Sequence, residues 1–247
     1  FYISLEDDLM RLFGSDRFAG MIDRLGLDED TPLEAKMLSN QIESAQKRIE
    51  GRNYDIRRHV LQYDDVMNQQ REVIYGERRQ VLEGEDMRAT IIGMVRNLIS
   101  DNVDHYTGNS DDRNVWDMKA LSEYLERYCI PAGWFEANAA QYTKREALKK
   151  ALCDAAEAAY AEREKELTEA GIDMREFERV VLLSCVDHRW MDHIDAMDRL
   201  RDGIGLRAYG QHDPVVEYKL EGFDMFDEMV RLIREDTLIR LYHAQIR

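Results

Sequence analysis

Apolar residues return at sevenfold spacing in two interleaved series, Ile42, Ile49, Ile56 and Tyr63, then Val60, Met67, Ile74 and Val81. Such spacing keeps one stripe turned toward partner helices over many turns. The stretch opens at Thr31-Pro32-Leu33-Glu34, a threonine cap with proline at the first helical position and glutamate at the third. It has no further proline to about Glu83, and only Gly51 and Gly76 interrupt it. The pattern predicts one helix of about fifty residues, roughly 75 Å long. A homodimeric coiled coil is one reading. Arg52 and Gln70 fall where a self-pairing seam wants apolar residues, which favours a spine against which helices of the same chain pack.

A second long pattern starts at Asp173, with Glu176 three positions on, and runs without proline to Gly203 and Gly205. Thirty residues of helix make a rod of roughly 45 Å. The turn reads Leu206-Arg207-Ala208-Tyr209-Gly210-Gln211-His212, and Asp213-Pro214 begins a return arm to about Arg234. Between Gly84 and Gly171 the helices shorten. One runs from about Asp86 to Tyr106 with Ile91, Ile92, Val95, Leu98 and Ile99 as its apolar face, and the polar loop 107–112 closes it. Another spans Asp117 to Tyr128 before Pro131 and Gly133, and a third starts at Thr143, with Glu146 at the box position. Residues 1–30 carry short apolar clusters (Leu9, Met10, Leu12 and Phe13, then Met21, Ile22 and Leu25) split by Gly14 and Gly20, too little for a core of their own. No alternating strand pattern is present. The expected fold is all-α: a long helix packed against a helix-loop-helix rod, with a helical subdomain inserted between them.

Composition sharpens this picture. Three prolines and fourteen glycines in 247 residues leave few helix breakers. A net charge of -16 and a pI near 4.9 argue against nucleic acid as a partner, since phosphate neutralisation needs a basic face. Cys129, Cys153 and Cys185 are scattered, with no C-x-x-C pair, which excludes a four-thiolate zinc site and suggests a reducing compartment. No run of eighteen apolar residues occurs and no signal peptide opens the chain. The start Phe1-Tyr2-Ile3-Ser4 lacks methionine and reads as an excised fragment.

Neither G-x-x-x-x-G-K-[ST] nor G-x-G-x-x-G occurs, so the chain offers no visible means of holding ATP alone. Asp187-His188-Arg189-Trp190-Met191-Asp192-His193 invites a metal-hydrolase reading. Yet His188 and His193 are five apart, about 140° around a helix, whereas paired metal histidines on one face are four apart. His188 with Asp192 reads as a surface ion pair. Trp190, Met191 and Ile194, with Met197, read as a packing stripe along the rod. Tyr209 sits in a glycine-flanked turn with little local surface to pack on. It is a candidate contact for another molecule or a ring folded back on its own helices, and Arg207 beside it is a turn stabiliser or a polar contact.

Three runs resemble one family. WMDHIDAMDRLRDGIGLRAYGQHDPVVEYKLEG, Trp190 to Gly222, is similar to the two-helix finger of SecA, the motor ATPase of bacterial preprotein translocation. QKRIEGRNYDIRRHVLQYDDVMNQQREVIY, Gln46 to Tyr75, resembles that family's long scaffold helix, and FYISLEDDLMRLFGSDR, Phe1 to Arg17, the end of its second nucleotide-binding domain. The resemblance implies four parts: residues 1–30 as the end of that motor domain, 31–83 as the long scaffold helix, 84–170 as the helical wing, and 171–247 as the finger and the return of the scaffold. It implies a parent that hydrolyses ATP to drive preproteins through the SecYEG channel, with ATP, magnesium and a zinc-binding tail held outside this segment, which alone is inactive. Implied partners are SecYEG, unfolded preprotein and the parent's own motor domains, with a homodimer as an open option, in the cytoplasm and at the cytoplasmic face of the inner membrane. Tyr209 and Arg207 would contact substrate polypeptide, and Trp190, Met191 and Ile194 would pack the finger and restrain the ATPase. The alternative reading is a non-enzymatic helical interaction scaffold unrelated to secretion.

Overall fold

A computed structural model describes residues 36–84, 87–204 and 213–244, and these are helical nearly throughout, with no strand among them. The elements are α1 (Lys36–Glu83), α2 (Met87–Tyr106), α3 (Met118–Tyr128), α4 (Trp134–Asn138), α5 (Arg145–Glu169), α6 (Met174–Ile204) and α7 (Pro214–His243), with single 3-10 turns at Arg113–Val115 and Ala139–Gln141. The chain divides into two compact units, 1–65 and 66–247.

In the first unit the described part is the amino-terminal portion of α1. Its Tyr54, Ile56, Val60 and Leu61 are exposed. Of the expected apolar stripe, Ile56 and Val60 are thus exposed there and Ile49 and Tyr63 half-buried, so it is not enclosed. It becomes so only in the second unit, where Met67 packs at the margin of the core and Ile74 and Val81 are enclosed. Sevenfold spacing specifies a stripe but not what covers it. The threonine-proline start expected at Thr31 lies outside the described residues.

In the second unit one hydrophobic core runs through α2, α3, α5, α6 and α7, and reaches α1 through Ile74 and Val81. The α2 face contributes Ile91, Val95, Leu98 and Ile99. Across from it lie Leu121 and Leu125 of α3, Leu148, Leu152 and Tyr160 of α5, and Leu238 and Leu241 of α7, all sealed from solvent. Each such aliphatic side chain contributes about 1.5–3 kcal/mol by leaving water. Glu235 of α7 lies within this interior. It accepts hydrogen bonds from Tyr124 at 2.5 Å and Tyr128 at 2.9 Å and pairs with Arg231, so its charge is compensated.

Three of the described helix starts follow the expected chemistry and a fourth does not. Asp117 accepts from the Ala120 amide at 3.0 Å, Asp173 from Arg175 at 2.9 Å, and Asp213 from Val215 at 2.9 Å with Pro214 at the first helical position. Thr143 does not cap α5. The helix starts after an extended Lys144, and the Arg145 amide is taken by Asp111 of the 107–112 loop at 2.9 Å. A distant carboxylate thus serves the orphan donor that a local hydroxyl was expected to satisfy. Gly171, at φ +79°, closes the tight turn from α5 into α6, a left-handed conformation that favours glycine. The return arm α7 runs to His243, about two and a half turns past the expected end at Arg234.

Candidate functional site

Helices α6 and α7 form an antiparallel hairpin. Ser184 meets Arg240, Arg189 pairs with Asp236 at 2.7 Å, the His193 and Phe226 rings lie 5.8 Å apart, and Met197 packs on Gly222. The pairing runs from Ser184–Arg240 to Met197–Gly222, and residues 205–212 connect the two helices. Tyr209 and Arg207 fall in that connection, outside the described residues.

The 66–83 segment of α1 lies along this hairpin. Arg78 meets Asp187 at 3.1 Å and the Arg179 guanidinium donates to the Val81 carbonyl at 3.2 Å. Deeper in, the Gln70 amide oxygen lies 2.8 Å from His193 Nε2 and its NH2 donates to the Gly222 carbonyl at 2.9 Å. Gln70 and His193 are both buried. A carbonyl can only accept, so the Gln70 NH2 must face Gly222, its oxygen must face His193, and Nε2 must carry the proton. The imidazole stacks on Trp190 at 5.7 Å and meets the Phe226 ring edge-on. Burial holds the His193 pKa below its usual 6.5.

The expected packing stripe is only partly realised. Trp190 is 5% exposed and belongs to the core, and Ile194 is half-buried against it, but Met191 is 62% exposed. Trp190 turns inward with Val186, His193 and Met197, and Met191, about 100° further round the helix, falls outside that face. The two histidines of the tempting cluster part in the same way. His188 faces solvent 3.7 Å from Asp192, while His193 turns inward. Among the described residues no group of three or more His, Cys, Asp or Glu is arranged to hold a metal ion. Burial raises all three thiols, Cys129 to about 12, which leaves them poor nucleophiles.

Residues 32–245 match the family model described as the SecA wing and scaffold domain. The chain belongs to the SecA family. Residues 1–30 match the model of the SecA P-loop domain. The proteins named protein translocase subunit SecA in Pelotomaculum thermopropionicum and Caldicellulosiruptor saccharolyticus are each 50% identical over the whole chain, and that of Alkaliphilus oremlandii is 52% identical over 99% of it. This SecA-family chain spans about 28% of the length of these relatives. The SecA runs at Gln46–Tyr75 and Trp190–Gly222 contain all three members of the Gln70–His193–Gly222 bridge, which sequence reasoning did not join. The signal was there in Gln70, a polar residue standing where the seam wants an apolar one.

The bridge has a measurable pH signature. His193 binds its proton more weakly folded than unfolded, so the unfolded state carries more protons below pH 6.5 and stability rises with pH. The contribution is complete above 6.5 and is lost as pH falls from 6.5 through the lowered folded value. Glu228, held below its usual 4.5 first by its hydrogen bond to Arg231, titrates in a lower window. All three tryptophans (Trp116, Trp134, Trp190) lie in the second unit, so their fluorescence reports its unfolding. The urea midpoint is expected to drop between about pH 7 and pH 5, and the drop to shrink in His193→Gln. An equal slope in both proteins would remove His193 from the linkage.

Proposed function

We propose that this chain is the output end of an ATP-driven preprotein translocation motor, with α6 and α7 as its two-helix finger. The observation that carries the reading is the antiparallel α6–α7 pairing through Ser184–Arg240, Arg189–Asp236 and Met197–Gly222, which supports a two-armed finger whose arms are joined through residues 205–212, Tyr209 among them. The SecA relatives are named translocase subunits, which supports transport as the parent's task.

Tyr209, aided by Arg207, contacts the moving polypeptide at the mouth of the SecYEG channel. An aromatic ring suits this role because its apolar faces grip any unfolded chain without reading a sequence. Helices braced against one another carry a displacement to the tip instead of absorbing it in bending. The ATP and magnesium that power the displacement belong to motor domains elsewhere in the parent, and this segment alone does not hydrolyse ATP. Packing around Trp190 and Ile194 restrains ATP turnover when no substrate is present. The parent works at the cytoplasmic membrane face, as a monomer or homodimer. No described helix is long and apolar enough to cross a membrane.

A photo-crosslinking residue at position 209 of the full-length protein tests the contact. Illumination during transport of a stalled preprotein is expected to join the two chains in the presence of ATP. Crosslinks confined to neighbouring positions of the motor itself would overturn the assignment.

A further inference from the structure

We propose that Gln70, His193 and the Gly222 carbonyl form a register clasp, which fixes the axial position of the α6–α7 hairpin on the 66–83 segment of α1. The apolar seam cannot do this by itself. Met67, Ile74 and Val81 repeat every two turns, their attraction is non-directional, and methionines such as Met67 and Met197 adapt to shifted neighbours. A hydrogen-bonded chain has one register. Sliding by one helical turn, about 5.4 Å, takes contacts of this length out of bonding range.

Residue 222 is where two independent observations meet. Its carbonyl accepts from Gln70, and a Cβ built on it would lie 2.7 Å from Met197 Cε and 3.7 Å from Val66 Cγ1. Glycine spares the Met197 methyl a displacement, and residue 222 is where α7 comes close to α6 and α1 together, at the place where the clasp closes. Other buried polar side chains serve different ends. Thr107 and Thr237 bond carbonyls of their own helices, at Val103 and Ile233, while Glu235 joins α7 to α3. Two other polar contacts tie α1 to α6: the Arg78–Asp187 pair is solvent-exposed, and such pairs hold little, while the half-buried Arg179 donates to the Val81 carbonyl at 3.2 Å, about three turns along α1 from Gln70.

Gln70 and His193 are positioning residues. Their consequence for transport, that motion of α1 carries the hairpin with it, rests on the finger reading above. The register itself does not.

The decisive protein is the full-length chain carrying Gln70→Met with His193→Met. Replacing both partners by apolar groups of similar size leaves no side chain unpaired, so the fold is retained while the register is freed. Spin labels on non-canonical residues at the exposed positions Arg71 and Asp195 read the distance between α1 and α6. A single narrow distribution is expected in the parent, and a broadened or displaced one in the double variant. An unchanged distribution overturns the clasp. In transport, the double variant is expected to consume roughly fivefold or more ATP per preprotein moved. An unchanged ratio beside a broadened distribution overturns the transmission step, whereas failure of the Tyr209 crosslink leaves the distance result standing.

Gln70→Glu provides a second reading if the double variant misfolds. A carboxylate beside His193 should raise its titration, followed by NMR, above the parent's value and above 6.5. A titration unmoved by Gln70→Glu places the two side chains apart and overturns the clasp as well.

Discussion

Tyr209→Ala in the full-length protein is expected to reduce preprotein transport at least about tenfold while leaving nucleotide affinity unchanged. The expectation follows from what alanine removes. A ring sliding along an unfolded chain offers apolar area and stacking to every residue that passes, and aromatic contacts of this kind contribute about 0.5–1.5 kcal/mol beyond area burial. Together with the area lost, that amounts to about 1.4 kcal/mol or more at the gripping step, a factor of ten. Tyr209→Phe retains the ring and should keep most of the activity; Tyr209→Leu, apolar but not planar, should fall between. The ordering separates a grip through the ring from one through the hydroxyl. Transport unchanged in Tyr209→Ala, measured as protected preprotein in vesicles, would end the tip assignment, and a parallel loss of nucleotide affinity would mean that the substitution acts on the motor.

The long-range order of the helices was legible because their boundaries are written in local chemistry. Asp117, Asp173 and Asp213-Pro214 sit at helix starts by satisfying amides two or three residues away, and such motifs read directly from sequence. What was not legible depends on partners distant in the chain. Asp111 caps α5 from 34 residues away and displaces Thr143 from that role. The sevenfold stripe predicts a buried face along all of α1, yet Ile56 and Val60 stay exposed and Ile74 and Val81 do not, because periodicity names a face without naming its cover. Gln70 shows the same limit from the other side. As a polar interruption of an apolar seam it argues against self-pairing. Only the approach of His193, 123 residues on, and of Gly222, 152 residues on, turns the interruption into a bridge.

Trp190→Ala is expected to cost about 3–5 kcal/mol in the stability of the second unit and to raise ATP turnover without substrate in the full-length protein roughly fivefold or more. Trp190 is nearly sealed from solvent and stacks on His193, so truncation empties a large volume beside the clasp and strips one wall from the buried imidazole. His193 then gains access to water. Its pKa should move back toward 6.5, and the acid-side loss of stability should shrink in step. Met191→Ala, one residue along and 62% exposed, supplies the contrast, with stability within about 0.5 kcal/mol of the parent and turnover unchanged. The pair divides two explanations that a single substitution would confuse. If restraint of the motor resides in finger packing, turnover follows the buried face and rises with Trp190→Ala alone. If it resides in a surface contact made by α6, Met191→Ala is the variant that raises turnover, and the Trp190 change registers only in urea.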